Sequence, residues 1–394
     1  MKIARVETRV IEYPIPGVFR PAWTPGGNKI GHGYTLLKLV TDTGLEGYST
    51  GLRYRVFEDP KRTQMEKGGL GGIDAHAAVQ KYLETLLIGY DPFKVEPLLK
   101  VLQNASFFGK GRFWFLEMAL WDIIGKAAGL PVYRLLGGNQ DRILAYGSWG
   151  EMKTPERAYE DAKKYMALGY KGLKVRIHSN SIDEDLEQVK AVRSAVGPAV
   201  EIMVDANQAR VVNLNYAQPE WDLKRAVQTC RRLEALDVRW LEEPLKQWDI
   251  AGLQELRRAT SVPIAGGEYD ENLFGYQPLL DAFDIIQPDV VRAGGVLGTR
   301  KIGILAEARN KLCVVHTWGD GLLMHPSVQV AASMTNCPYL ELPDERPNWA
   351  PEVRDMLLKN PVRIDPDGYV TVAQDPGMGY QIDWDLVERY TAHM

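Results

Sequence analysis

The sequence predicts an α/β protein: a TIM-like, (β/α)8-type barrel carrying an α+β capping domain. Three observations predict it. From about residue 142, eight short apolar runs alternate with amphipathic helical stretches. Most of those runs are continuous in hydrophobicity, as strands buried on both faces are. The first 140 residues and the tail follow a different pattern, which calls for a second unit.

The chain opens with "KIARVETRVIEY", in which polar and apolar residues alternate. A second strand segment, "YTLLKLVTDTGLEGYST", contains a turn at Asp42-Thr43-Gly44. Both read as antiparallel strands. Between Pro14 and Gly33 runs a Pro/Gly-rich segment with Phe19 and Trp23, irregular but too apolar for a simple linker. A second irregular stretch, about Gly51 to Gly72, carries Arg53, Tyr54 and Arg55 and reads as a lid. Helices over "DAHAAVQKYLETLLIG" and "FWFLEMALWDIIGKAAG" complete a capping domain assigned to residues 1–140.

The barrel is assigned to residues 141–350. Its strands are "RILAYGSW", "GLKVRI", "EIMVDAN", "VRWLEEP", "PIAGGE", "DIIQPDV", "LCVVHTW" and "YLELP". Helical segments lie between them. In "TPERAYEDAKKYMALGY", Thr154 is placed to cap and Pro155 takes the first helical position. Ala158, Ala162, Tyr165 and Met166 share a face, and Gly169 ends the helix. Residues 351–394 hold a hairpin, "VRIDPDGYVTV", turning at Asp-Gly, and are expected to pack back on the capping domain.

At 394 residues the chain exceeds what one hydrophobic core usually holds. Net charge is −4, with 45% hydrophobic and 25% charged residues. That balance argues against a nucleic-acid surface or a polybasic membrane patch. No stretch reads as a signal peptide or a membrane span, so a cytoplasmic location is expected. Cys230, Cys313 and Cys337 are widely spaced and odd in number, which suits buried, reduced thiols.

Chemistry in such a barrel gathers at the C-terminal strand ends. Those ends supply Lys174 and Arg176, Asp205 and Asn207, Glu242 and Glu243, Glu268, Asp289, His316 and Glu341, about one strand-helix unit per step. Asp205, Glu242 and Glu268 end three neighbouring strands with no soft ligand nearby. Oxygen-only donors suit a hard cation, Mg²⁺ or alternatively Mn²⁺. Three carboxylates converging without a cation would repel one another.

The ordered motifs "VDANQ", "WLEEP", "GGE", "QPDVVRAGG" and "HTWGDG" resemble the enolase superfamily, within it the mandelate racemase/muconate lactonizing enzyme-like proteins and the mandelate racemase subgroup. The resemblance covers essentially the whole chain and implies the modified (β/α)7β form of the barrel. It implies that Asp205, Glu242 and Glu268 hold one Mg²⁺ per subunit and that His316 with Asp289 forms a proton-transfer dyad. Glu341, in "YLELPD", matches the acid that hydrogen-bonds the substrate carboxylate. The implied activity is removal of the α-proton of a carboxylate to form a metal-stabilised enediolate. It also implies a symmetric homo-oligomer.

One motif departs from the subgroup. Its usual Lys-x-Lys is here Lys174-Val175-Arg176, in the stretch "KGLKVRIH", whose Lys174, Arg176 and His178 share one face of a strand. A guanidinium stays protonated, so Arg176 is a poor base and a good fork for oxygen. Lys174 and Arg176 therefore read as clamps for the substrate carboxylate. Asn207, Arg53, Tyr54, Trp23 and His178 are candidate substrate contacts, His178 being read first as a solvated loop residue. His32 joins the polar groups of the cap. With one convincing proton carrier, the expected function is dehydration of an acid sugar, an aldonate or aldarate, to a 2-keto-3-deoxy acid. The rival within enzymes is a racemase, epimerase or cycloisomerase using Lys174 as second base. The rival outside them is a non-catalytic carbohydrate-binding barrel.

Overall fold

The structure is a computed structural model and describes residues 1–67, 76–108, 113–138, 140–210 and 219–392. Three long strands open the chain: β1 (Ile3–Phe19), β2 (Lys29–Thr41) and β3 (Glu46–Phe57) form an antiparallel sheet in that order. Gly44 makes the turn between β2 and β3 with φ +85°, a conformation open to glycine without a Cβ penalty. The helix Phe115–Ala128 lies against β3. Gly47 permits the approach, since a Cβ there would stand 2.2 Å from the Ala119 carbonyl oxygen.

Two segments read as irregular are strand in part, residues 20–28 remaining outside any strand or helix. β1 runs on through Pro14 to Phe19, where it pairs with Lys29. β3 likewise continues from Gly51 to Phe57, pairing with β2 as far as Lys29. Prolines at the end of an edge strand cost no ladder bond that solvent cannot replace, so Pro14 and Pro16 did not stop the strand. The helix Pro60–Lys67 follows, with no buried residue, and Arg55 holds it through Glu66 at 2.6 Å. Residues 68–72 of the expected lid lie outside the described residues.

All eight expected barrel strands form: β4 (Arg142–Ser148), β5 (Gly172–Arg176), β6 (Glu201–Asp205), β7 (Val238–Glu242), β8 (Ile264–Gly266), β9 (Ile285–Ile286), β10 (Leu312–Cys313) and β11 (Tyr339–Pro343). Every neighbouring pair is parallel, and the spatial order is β10-β9-β8-β7-β6-β5-β4-β11. The last strand thus returns beside the first, as a sheet curling into a barrel requires. The helix directly after β11 is the short Pro351–Arg354, in keeping with a (β/α)7β arrangement. Between strands the helices form as the sequence indicates; Thr154 caps Pro155–Ala167 by accepting from the Arg157 amide.

The tail hairpin corrects an expectation. Its strand β12 (Tyr369–Thr371) pairs antiparallel with β4 of the barrel, at Leu144, Ile143 and Arg142. β5 reaches only Gly147 and Ser148 of that edge, so the lower half of β4 had unpaired backbone groups to offer. The end of the tail does reach the cap: Thr391 bridges Ile11, and the Trp384 ring lies 5.5 Å from that of Tyr48.

Inside the barrel Tyr146, Met203, Trp240, Ala265, Ile285, Val314 and Tyr339 pack together as an apolar plug. Side chains alternate along a strand, so the residue two positions on faces the same interior one layer higher. Those positions are Ser148, Asp205, Glu242, Gly267, Gln287, His316 and Glu341. The plug is the floor of the site and the next layer is its chemistry. Gly172 takes a plug position on β5, under Lys174, where a Cβ would press on Tyr146 at 3.1 Å.

Candidate active site

Adjacent register places the charged residues side by side: Arg176 opposite Asp205, and Asp205 opposite Glu242. Lys174 Nζ donates to both oxygens of Glu242, at 2.8 and 2.9 Å, and lies 2.7 Å from Glu341 Oε1. Burial works against its charge, but Glu242 and Glu341 outweigh that and hold the ammonium above its ordinary range. Glu242 also accepts from Gln287 Nε2 at 2.9 Å and from the Trp240 indole at 3.3 Å.

Arg176 is fully committed. Its Nη1 contacts Asp205 Oδ2 and, at 3.3 Å, Asn207 Oδ1; Nε donates to the Trp149 carbonyl at 2.7 Å; Nη2 donates to Ser148 Oγ at 3.3 Å. Its guanidinium carbon lies 5.2 Å from the Trp23 ring and 5.4 Å from that of Trp318. Those indoles meet edge to face at 4.6 Å, and Phe19 stacks on Trp318 at 6.2 Å. Gly150 makes room, since a Cβ there would fall 2.5 Å from Phe19 Cζ. Trp23 therefore does stand over the site.

Across the mouth, His316 Nδ1 lies 2.8 Å from Asp289 Oδ2, and Nε2 contacts Glu268. Burial disfavours the imidazolium, yet Glu268, Glu341 and Asp289 together raise its pKa well above the usual value. The same contacts hold Glu268 well below the carboxylate range against its burial. Glu341 Oε2 accepts the Thr317 amide at 3.2 Å and lies 3.9 Å from His316 Nε2. Glu243 behaves differently. Burial, then Glu268, Asp205 and Glu242, push its carboxyl far up.

Asp205, Glu242 and Glu268 are buried oxygen donors at neighbouring strand ends, the donor chemistry a hard divalent cation takes. Among the described residues they do not face one another as a finished cage. Each lies instead on a protein cation: Asp205 on Arg176, Glu242 on Lys174, Glu268 on His316. Buried carboxylates must be compensated by whatever positive charge is in reach. The donor set fits Mg²⁺.

Four cap and rim expectations change. Tyr54 points away from the site and donates to Glu12 Oε2 at 2.7 Å, because strand alternation sends it to the face opposite Arg53 and Arg55. Arg53 does reach inward, but onto protein: Nη1 donates to the Trp318 carbonyl at 2.7 Å. His178 is buried, with no partner for Nδ1 among the described residues. Burial, with Arg176 nearby, carries its pKa down to about 4, so it is a neutral interior group and not a solvated one. His32 is likewise buried, against Lys29 and the Trp349 ring. Gln287 and Ser148 were missed, although each sits two residues beyond a plug residue. All three cysteines are buried and unpaired, and no helix among the described residues is long and apolar enough to cross a membrane.

Two family models match the chain. The family model described as "Enolase C-terminal domain-like" matches residues 157–386, and that of "Mandelate racemase / muconate lactonizing enzyme, N-terminal domain" matches residues 16–137. An arabinonate dehydratase of Saccharolobus solfataricus is 32% identical over 366 residues, 90% of this chain and 89% of its own length. A D-galactarolactone cycloisomerase of Agrobacterium fabrum is 28% identical over 99% of both chains. A crystal structure of D-glucarate dehydratase from Agrobacterium tumefaciens, complexed with magnesium, superposes with a TM-score of 0.80 at 26% identity, covering 100% of each chain.

Proposed function

This chain belongs to the mandelate racemase / muconate lactonizing enzyme family of the enolase superfamily, and we propose that it is a Mg²⁺-dependent acid-sugar dehydratase, a hydro-lyase acting on an aldonate or aldarate. The observation that carries this reading is Arg176. It takes the last inward position of β5 and spends its guanidinium on Asp205, Asn207, Trp149 and Ser148. A guanidinium so bound orients its neighbours and accepts no proton. That leaves the His316–Asp289 pair as the proton carrier.

Asp289 accepts from Nδ1 and so leaves Nε2 as the working nitrogen. With Glu268 given over to the cation it would hold, Nε2 is freed of the carboxylate that keeps it protonated and takes the α-proton, the C–H electron pair moving into the substrate carboxylate. When bound by Asp205, Glu242 and Glu268, Mg²⁺ supplies positive charge against that developing negative charge. Lys174 adds a fixed ammonium on the opposite wall, held by Glu242 and Glu341. The β C–O bond then breaks, and the imidazolium returns its proton to the leaving hydroxide as water. The resulting enol ketonises to a 2-keto-3-deoxy acid. The plug below and the indoles of Trp23 and Trp318 above shield these charges from solvent.

A second reading, an epimerase or cycloisomerase, draws on Lys174 facing inward on β5 and on the cycloisomerase relative. A non-catalytic sugar-binding barrel has no use for a histidine oriented by an aspartate. The test is a library of acid sugars offered with Mg²⁺ and assayed for 2-keto acid. Product from an aldonate or aldarate is expected. Isomerised acid with no loss of water would replace the dehydratase by the second reading.

A further inference from the structure

Arg292 follows the β9 strand end, between Asp289 and the helix Gly295–Glu307. β9 is the sixth barrel strand and β5 the second, so Arg292 stands half-way round the barrel from Lys174 and Arg176. Its guanidinium carbon lies 4.6 Å from the Tyr269 ring, and the other approach to that ring is Arg210, at 5.4 Å. Its one carboxylate contact among the described residues, Glu268 at 3.9 Å, is too long for a hydrogen bond.

A structural arginine at such a place normally spends its fork. Arg176 and Arg354 in this protein do so, the latter on Asp355, Pro343 and Val362. Arg292 does not: its Nη1 is buried and has no hydrogen-bond partner among the described residues. The nearby carboxylates are already engaged, Asp289 by His316 and the Val291 amide, Glu268 by His316. Yet 24% of the Arg292 side-chain surface is open. Arg53 approaches from the cap, close enough that both arginines bear on the charge of Asp289 and Arg292 on that of Arg53.

Resting on the acid-sugar reading above, we propose that Arg292, assisted by Arg53, binds a second carboxylate at the far end of the substrate, so that the substrate is a dicarboxylic aldarate. Lys174, on β5, receives one end of the chain; the guanidinium of Arg292, across the barrel and beside Glu268, receives the other. A planar fork with unspent donors matches a carboxylate's two oxygens, which a sugar hydroxyl does not. Tyr269 holds the guanidinium plane from one side and so fixes the direction of the fork.

The test uses matched diacid and monoacid pairs, galactarate with galactonate and D-glucarate with D-gluconate, on the Mg²⁺-loaded protein. Calorimetric affinity and kcat/KM are both measured for wild type, Arg292→Met and Arg292→Lys. In wild type the diacid of the accepted configuration should be preferred by roughly 10- to 100-fold, the worth of charged hydrogen bonds. Arg292→Met should collapse that ratio, mostly through KM, and Arg292→Lys should keep part of it. A wild-type ratio near one, a ratio that survives in Arg292→Met, or binding of neither acid would each overturn the proposal. Diacid-selective binding with no 2-keto acid from any sugar would keep this subsite and sink the dehydratase reading instead.

Discussion

His316 Nδ1 stands 2.8 Å from Asp289 Oδ2, across adjacent parallel strand ends that also bridge through their backbones. The aspartate fixes the tautomer that exposes Nε2 to the mouth and stabilises the imidazolium that proton transfer creates. Asp289→Asn should therefore lower kcat by about 10²- to 10⁴-fold, the range of positioned acid-base catalysis, with KM changed little. Steady-state kinetics on the identified substrate checks this. A mutant within a few-fold of wild type would remove Asp289 from the mechanism.

The three strand-end carboxylates give the second expectation. EDTA should abolish activity and Mg²⁺ restore it, and Asp205→Asn, Glu242→Gln or Glu268→Gln should each be inactive while circular dichroism stays native. Full activity after exhaustive chelation is the outcome that defeats the assignment. Each substitution also unpairs a buried protein cation, Arg176, Lys174 or His316. A fall in Tm alongside lost activity is thus expected.

Arg53 couples the cap to the catalytic loop. Its bond to the Trp318 carbonyl is two residues from His316, and Thr50 on the same strand donates to Asp320 at 2.9 Å. Arg53→Ala should raise KM more than it lowers kcat, because it loosens the wall around the substrate without touching the reacting proton. A loss confined to kcat would instead make Arg53 a positioning residue for His316 alone.

His178 predicts an acid-sensitive interior. Its folded-state value of about 4 lies below the ordinary imidazole value of about 6.5. Between those values only the unfolded chain takes up the proton, so stability falls as pH drops from about 6.5 to about 4. Below that window the loss is complete, at most about 3 kcal/mol. His178→Gln should lose less stability than wild type over that window in denaturant melts at stepped pH. Parallel curves would show that His178 is not the group responsible.

How much of this was legible in the sequence follows from periodicity. Each barrel strand carries its own apolar run, most of them closed by an ionisable residue, and the eight strands formed where those runs lie. The site layer was legible for the same reason, since Asp205, Glu242, His316 and Glu341 sit two residues past Met203, Trp240, Val314 and Tyr339. Gln287 obeys the same rule past Ile285 and was missed because an uncharged amide draws no notice. The cap was less legible. Nothing local says which face of β3 turns inward, so Tyr54 and Arg53 could not be told apart until β2 set the register. The burial of His178 is a tertiary fact, as is the pairing of β12 with β4, which depends on an edge that β5 leaves free.

The last expectation separates the two proton-transfer schemes. If His316 is the working base, His316→Asn should lose both dehydration and exchange of the α-proton with solvent deuterium. Arg176→Lys should keep a fraction of that exchange, because an ammonium retains charge beside Asp205 but cannot also reach Trp149, Ser148 and Asn207 as the fork does. It can also gain slow epimerisation, since a lysine placed beside Lys174 is discouraged from holding its proton by that neighbouring charge. A two-base enzyme behaves otherwise. With Lys174 serving the opposite face, His316→Asn would still exchange the α-proton of one enantiomer and lose only the other. Proton NMR of each enantiomer in D₂O reads this directly. Persistent one-sided exchange would turn Lys174 from a fixed charge, held by Glu242 and Glu341, into the second proton carrier.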